Sequence, residues 1–204
     1  MYKSFFKRVV DFTAAFIGLM ILSPIFIGVT IGLYFANQGT PFFFQIRPGR
    51  NEKRFKVIKF KTMNDKKDSQ GNMLPDSERL TTIGSILRKT SLDEIPQLIN
   101  VLKGDMSLIG PRPLLEKYLP YYTQEEKIRH TIRPGITGWA QLQGRNTLKW
   151  DDRLAYDIEY VNSISFAFDL KIFFLTIKKV FKSEGVIMDP RSIMKDLDEE
   201  RSNC

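Results

Sequence analysis

The hydrophobic pattern changes period along this chain, and each change marks an element. Residues 12–36, FTAAFIGLMILSPIFIGVTIGLYFA, form an uncharged apolar run. A bilayer crossing needs ~20 apolar residues, so the run is long enough to span. It is too long for a signal peptide, and no small-residue cleavage site follows it. Two features complicate a plain crossing. Ser23-Pro24 falls near the middle, where a proline removes one hydrogen bond and bends the helix. The Ser23 hydroxyl is a candidate partner for a backbone group freed there. Lys3, Lys7 and Arg8 precede the run, and Arg47, Arg50, Lys53 and Arg54 follow it. The positive-inside tendency places both flanks in the cytoplasm. A spanning helix and a re-entrant one, kinked at Ser23-Pro24, are both open at this point.

After residue 40 the pattern shortens. PFFFQIR and KRFKVIKFKTM are aromatic and β-branched around the turn residues PGRN, which predicts a hairpin over 41–63. The facing of its second strand is ambiguous. Residues 64–78 are polar, with Gly71 and Pro75, and read as a mobile loop. A short helix is expected over 79–88. Helical spacing returns with Leu92, Ile95, Leu98, Ile99 and Leu102. Ser91 and Glu94 have the spacing of a capping box, and Lys103-Gly104 looks like a helix stop. If Ser91 caps this helix, Pro96 lies past the first turn and costs a hydrogen bond. If the helix starts nearer Asp93, Pro96 fits.

A polar helix over 118–133 should be capped by Thr123 with Glu126 three residues on. Residues 133–145, RPGITGWAQLQGR, read as a glycine-rich loop able to approach a ligand closely. Residues 148–162 read as a helix containing Asp157. Leu170, Phe173, Phe174, Ile177 and Phe181 form a stripe edged by lysines, which suits a helix lying at a membrane surface or packed on a core. The tail KDLDEERSNC reads as charged and frayed. The fold class expected is α+β: a mainly helical single domain with a small β-hairpin and an N-terminal membrane helix. The divisions are 1–36 for the membrane helix, 37–188 for the catalytic domain and 189–204 for the tail.

Composition narrows the chemistry. The 204 residues carry 31 Lys and Arg against 23 Asp and Glu, a net charge of +8. That balance suits phosphorylated small molecules, an anionic membrane surface or nucleic acid. The sole cysteine, Cys204, excludes an internal disulfide framework, and there is no zinc pattern. The sole histidine, His130, sits among Lys127, Arg129 and Arg133 and reads as a surface residue. The adjacent acids Asp93 and Glu94 attract attention because Arg88-Lys89 precede them and the rigid Pro111-Arg112-Pro113 corner follows. At a helix N-terminus both would be held ionised by exposed N–H groups and the dipole. Neighbouring helical residues face different ways, so the two acids would do different jobs. As mere capping residues they would do none. On the residues alone, a membrane-anchored aspartyl phosphohydrolase and a non-enzymatic basic membrane-surface module also remain open.

Several motifs then occur in a specific order: Lys59-Phe60-Lys61-Thr62-Met63; Leu87-Arg88; Ser91-Leu92-Asp93-Glu94-Ile95-Pro96-Gln97-Leu98; residues 104–113, GDMSLIGPRP; residues 133–141, RPGITGWAQ; and Gly144-Arg145. Asp157, Tyr160, Ser163 and Asp169 continue the series. In these the chain resembles the bacterial sugar transferases, the monotopic phosphoglycosyl transferases, and looks closest to the PglC-like enzymes. The resemblance runs from the Ser-Pro pair to about Thr176. It implies transfer of a sugar-1-phosphate from a UDP-sugar donor to a polyprenyl phosphate acceptor such as undecaprenyl phosphate, with release of UMP. This would be the first membrane step of glycoconjugate assembly, ahead of downstream glycosyltransferases. It also implies Mg²⁺, a re-entrant helix, the minimal catalytic form of the enzyme, and a place on the cytoplasmic face of the bacterial inner membrane among anionic lipids. No nucleic acid is expected as a partner.

On that footing Asp93 is the expected nucleophile at phosphorus, and Glu94 holds Mg²⁺ with it or orients it. Lys59, Arg88, Arg112 and Arg145 are expected phosphate ligands. Gln141 is expected to line the site, and Asp157 to serve the metal or the nucleotide. Trp139 is placed either on uracil or in the core.

Overall fold

The computed structural model of the chain describes residues 2–144, 148–181 and 195–202. Helix α1 (Lys7–Ala36) is continuous through Pro24 and measures about 45 Å at 1.5 Å per residue. The proline ring deprives the Met20 carbonyl, four residues back, of its donor. The Ser23 hydroxyl donates to that same carbonyl at 2.7 Å, so the rung lost to Pro24 is replaced by its neighbour.

One side of α1 touches the rest of the protein along its whole length. Lys7 donates to Asp169 Oδ2 at 2.7 Å, and Arg8 donates to the carbonyls of Val101 and Leu102 at 2.5 and 2.9 Å. Asp11 accepts from Ser107 Oγ at 2.6 Å and from the Leu108 N–H at 3.2 Å. Further on, Ala15 packs beside Val101 and Met106, and Leu22, Phe26, Val29 and Leu33 pack on Phe60, Leu87 and Ile95. Beyond the helix end, Asn37 donates to the Lys61 carbonyl at 2.7 Å. The opposite side presents Phe12, Phe16, Met20, Ile27, Ile31 and Phe35, all exposed.

The hairpin forms as the pattern predicts. Strand β1 (Phe42–Pro48) pairs antiparallel with β2 (Arg54–Phe60), from Phe42↔Phe60 to Pro48↔Arg54. The turn places Asn51 and Glu52 at positive φ. Phe42 and Phe60 stack at 5.6 Å, and both rings lie within 6 Å of that of Phe26 on α1. Residues 64–75 are a loop in which Asp68 accepts from the N–H groups of Gln70 and Asn72. Two short helices follow, α2 (Asp76–Arg79) and α3 (Thr82–Lys89), the second capped by Thr81.

The next segment departs from expectation. Ser91 is left-handed (φ 57°) and caps nothing. Leu92–Glu94 is a single 3₁₀ turn, and α4 (Gln97–Lys103) starts only after Pro96. Pro96 has no N–H to continue a helix begun at Ser91, so the turn closes and the helix restarts beyond the ring. The left-handed Gly104 ends α4.

Strand β3 (Ser107–Ile109) pairs parallel with β4 (Gly135–Thr137), a contact the pattern did not announce. It explains the glycines. A Cβ on Gly135 would stand 2.1 Å from the Gly110 nitrogen, and one on Gly138 2.2 Å from the Gly110 oxygen. These glycines let two backbones touch; they do not make room for a ligand. Between the strands, the expected polar helix is two 3₁₀ segments, Glu116–Tyr121 and Glu126–Thr131. The capping box is present: the Thr123 N–H donates to Glu126 Oε2 at 2.8 Å, and the Glu126 N–H to Thr123 Oγ1 at 3.2 Å.

Helices α5 (Trp139–Gln143), α6 (Trp150–Ser163) and α7 (Phe166–Phe181) complete the domain. On α7, Ile172 and Asp169 point inward while Phe173, Phe174 and Ile177 are exposed. Two expectations fail here. The tail is not frayed over 195–202: in α8 (Leu197–Arg201), Leu197 is fully buried against Tyr118, Trp150 and Leu154, and Arg201 forks onto Glu126 at 2.7 Å. His130 is not on the surface. It is 6% exposed, and burial pushes its pKa down to about 4, so it is neutral at pH 7.

Candidate active site

Three separate elements bring charge to one place. Lys59 comes from β2, where it stands opposite Phe43. Glu94 comes from the 3₁₀ turn before α4. Arg112 comes from the segment after β3, where Pro111 and Pro113 restrict the backbone on either side. Glu94 Oε1 accepts from Lys59 Nζ and from Arg112 Nη2, each at 2.7 Å. Arg88, near the end of α3, adds its charge to the cluster, and its Nε donates to Thr62 Oγ1 at 3.0 Å.

The two acids are unlike. The Glu94 carboxylate is 18% exposed and shared by two cations. Burial works against its ionisation, but Arg112 and Lys59 outweigh burial and hold it well below the usual carboxylate range. The Asp93 carboxylate has no hydrogen-bond or ion-pair partner among the described residues. Burial and the charge on Glu94 push it up, Lys59, Arg112 and Arg88 pull it down, and the balance lies at about 6. This corrects the expectation that a helix N-terminus would depress it. One 3₁₀ turn offers little dipole, and desolvation dominates. That balance still lies below neutral pH, so Asp93 is mainly ionised at pH 7. The geometry therefore presents one committed carboxylate and one uncommitted carboxylate beside three cations.

Asp157, Gln141 and Trp139 lie elsewhere. Asp157 is buried on α6 and paired with Arg129 at 2.9 Å, their side chains 4% and 2% exposed. Arg129 also donates to the Arg112 carbonyl at 2.7 Å, so Asp157 reaches the cluster only as a brace behind Arg112. Gln141 on α5 donates to the Ile136 carbonyl at 3.1 Å and makes no contact with the cluster among the described residues. Trp139 packs edge-on against Phe168 and donates to Glu159, which is its core alternative. Arg145 lies outside the described residues. Sequence reading did not single out Thr62, Arg129 or the 2% exposed Gln97, whose side-chain nitrogen is buried without a partner four residues past Asp93. Gln97 was at least visible as a polar residue inside the motif.

Among the described residues no group of three or more His, Cys, Asp or Glu side chains could hold a metal alone. The oxygen donors of the cluster are the adjacent carboxylates Asp93 and Glu94, and Mg²⁺ commonly uses one or two carboxylates together with substrate phosphates and water.

Comparison with known proteins places this cluster in context. The chain matches the family described as bacterial sugar transferase over residues 2–183. It is 52% identical over 181 residues to the "uncharacterized sugar transferase EpsL" of Bacillus subtilis (strain 168), covering 88% of this chain and 89% of that one. It is 40% identical over 191 residues to the UDP-glucose:undecaprenyl-phosphate glucose-1-phosphate transferase of Escherichia coli (strain K12), covering 88% of this chain and 41% of that one. It is 34% identical over 190 residues to the UDP-N-acetylgalactosamine-undecaprenyl-phosphate N-acetylgalactosaminephosphotransferase of Aeromonas hydrophila, covering 89% and 45% respectively.

Proposed function

The chain belongs to the bacterial sugar transferase family, and from that premise we propose that it moves a sugar-1-phosphate from a UDP-sugar to a polyprenyl phosphate through an ester on Asp93. Relatives named for this transfer support the overall reaction. The observation that supports the covalent route is the division between the acids: Glu94 is bound up by Lys59 and Arg112, and Asp93 beside them has no hydrogen bond or ion pair among the described residues.

In the first step an Asp93 oxygen attacks the β-phosphorus. The bond to the bridging oxygen breaks, and UMP leaves with the electron pair. In the second step an oxygen of the polyprenyl phosphate attacks the same phosphorus, and the Asp93 carboxylate departs. Neither nucleophile is a neutral hydroxyl, so no strong base is required. The obstacle is repulsion between anions, ~4 kcal/mol for two unit charges ~4 Å apart at an effective dielectric of ~20. Lys59, Arg88 and Arg112 are fixed in place to oppose it, and fixed charge stabilises a transition state without reorganising. Asp93 and Glu94 would hold Mg²⁺, which supplies further neutralisation of the diphosphate.

The test uses donor alone. Stoichiometric UMP release should accompany a phosphosugar adduct on Asp93, seen by mass spectrometry, and EDTA should suppress both until Mg²⁺ is restored. The route fails if UMP appears only once acceptor is added. Release of free sugar phosphate to water would instead favour the phosphohydrolase.

The contacts of α1 support the re-entrant placement. Both ends and the middle of the helix dock on the same folded body, and the free side is apolar. A crossing along a ~30 Å hydrocarbon core would carry α3, α4 and β3 into lipid. The reading therefore puts α1 in one leaflet with the basic domain on the cytoplasmic headgroups. Cysteines placed at positions 2 and 38 should both react with a membrane-impermeant maleimide from the cytoplasmic side. Labelling of position 2 only from the outer side contradicts this placement.

A further inference from the structure

A second feature is built from the segments that follow Asp93 and precede Arg112. A groove of about 280 Å³ opens between α4, the β3–β4 pair and α7, lined by Leu98, Ile109, Ile136, Phe173, Ile177 and Val180. Its hydroxyls are Thr137 and Thr176, and these are already satisfied. They hydrogen-bond each other at 2.9 Å, and Thr176 also donates to the Ile172 carbonyl at 2.8 Å. The groove therefore offers hydrocarbon contact and no unmet polar group.

Its position matters more than its size. Leu98 is five residues past Asp93 on the segment that carries the acids. Ile109 is three residues before Arg112, which puts their Cα atoms at most ~11 Å apart. Two residues of the groove lining thus sit on the same short segments as Asp93 and Arg112. At the other side Phe173 and Ile177 are 43% and 38% exposed on α7, so that rim faces outward. An uncharged trough whose lining lies within a few residues of Arg112, with an apolar rim, suits a molecule with a phosphate head and a hydrocarbon tail.

We infer that this groove binds the isoprenoid segment nearest the phosphate of the polyprenyl acceptor. The inference rests on the transfer reaction proposed above. Its role is orientation: the tail enters along α7, and the phosphate is delivered to Asp93 beside Arg112. Burial of the branched hydrocarbon supplies affinity in proportion to the area covered.

The experiment fills the trough. Val180→Trp, at a half-buried position in the last part of α7, should raise the KM for undecaprenyl phosphate about tenfold or more. The KM for the UDP-sugar and donor-only UMP release should not change. Normal donor-only release with an unmoved acceptor KM sinks this inference alone. Loss of donor-only release from the unmodified enzyme sinks the transfer reading and the inference together. The unmodified enzyme gives a second measurement that does not depend on how the variant folds. A diazirine-bearing prenyl phosphate should crosslink to β4 or α7, with undecaprenyl phosphate competing and dioleoylphosphatidylglycerol vesicles not competing. Equal competition by the phospholipid would mean that the groove takes bulk acyl chains, and would overturn the assignment.

Discussion

Asp93→Asn is expected to abolish transfer, lowering turnover by on the order of 10⁴-fold or more, as loss of a nucleophile does in other covalent mechanisms. The amide keeps the size of the side chain and removes the attacking charge. Folding should be unaffected, because among the described residues the Asp93 carboxylate has no hydrogen bond or ion pair to lose. Burial and Glu94 hold its pKa above the ordinary value, so neutralising it removes a charge that folding disfavours. The melting temperature should stay level or rise. The adduct should disappear, and donor-only UMP release with it. Turnover within tenfold of the unmodified enzyme would remove Asp93 from the role.

Glu94→Gln should act differently. Lys59 and Arg112 lose the carboxylate that holds them, and a misplaced pair of donors costs about 10²–10³ in rate. The diagnostic readout is pH. Donor-only UMP release needs ionised Asp93, so in the unmodified enzyme it should fall as pH drops through about 6. Glu94 is one of the two causes that raise that value. Removing its charge lowers the Asp93 pKa, and the acidic limb should move to lower pH. A rate loss with no movement of the limb would leave Glu94 a scaffold residue with no electrostatic hold on its neighbour.

The charged cluster was legible in two ways, from the acid pair itself and from the motifs shared with a family. Asp93 and Glu94 stood out as adjacent acids between Arg88-Lys89 and the Pro111-Arg112-Pro113 corner, Lys59 was marked only by the family resemblance, and the structure brings these charges together. The long uncharged run and the aromatic hairpin were also plain. The expected Ser23 hydrogen bond forms for the reason anticipated, since the adjacent ring removes its competitor. What escaped notice depends on distant partners. Three-residue strands such as β3 and β4 are too short to show alternation. The ion pair of Asp157 with Arg129 spans 28 residues, so nothing local marked Asp157 as bracing rather than reactive. Leu197 is a lone apolar residue among acids, and only the hollow between Tyr118 and Trp150 gives it meaning. The Ser91 misreading has a local cause: a good capping spacing lost to a proline two residues further on.

The guanidinium of Arg8 on the two carbonyls at the end of α4, together with Lys7 on Asp169, alters what the first thirty-six residues are for. They are not a tether that could be cut to free a soluble enzyme. The turn that carries Asp93 leads into α4, and the far end of α4 is fastened to α1 by Arg8, so removing α1 should loosen that turn. On the membrane placement and reaction proposed above, a chain lacking α1 should lose the order of its charged cluster as well as its anchor.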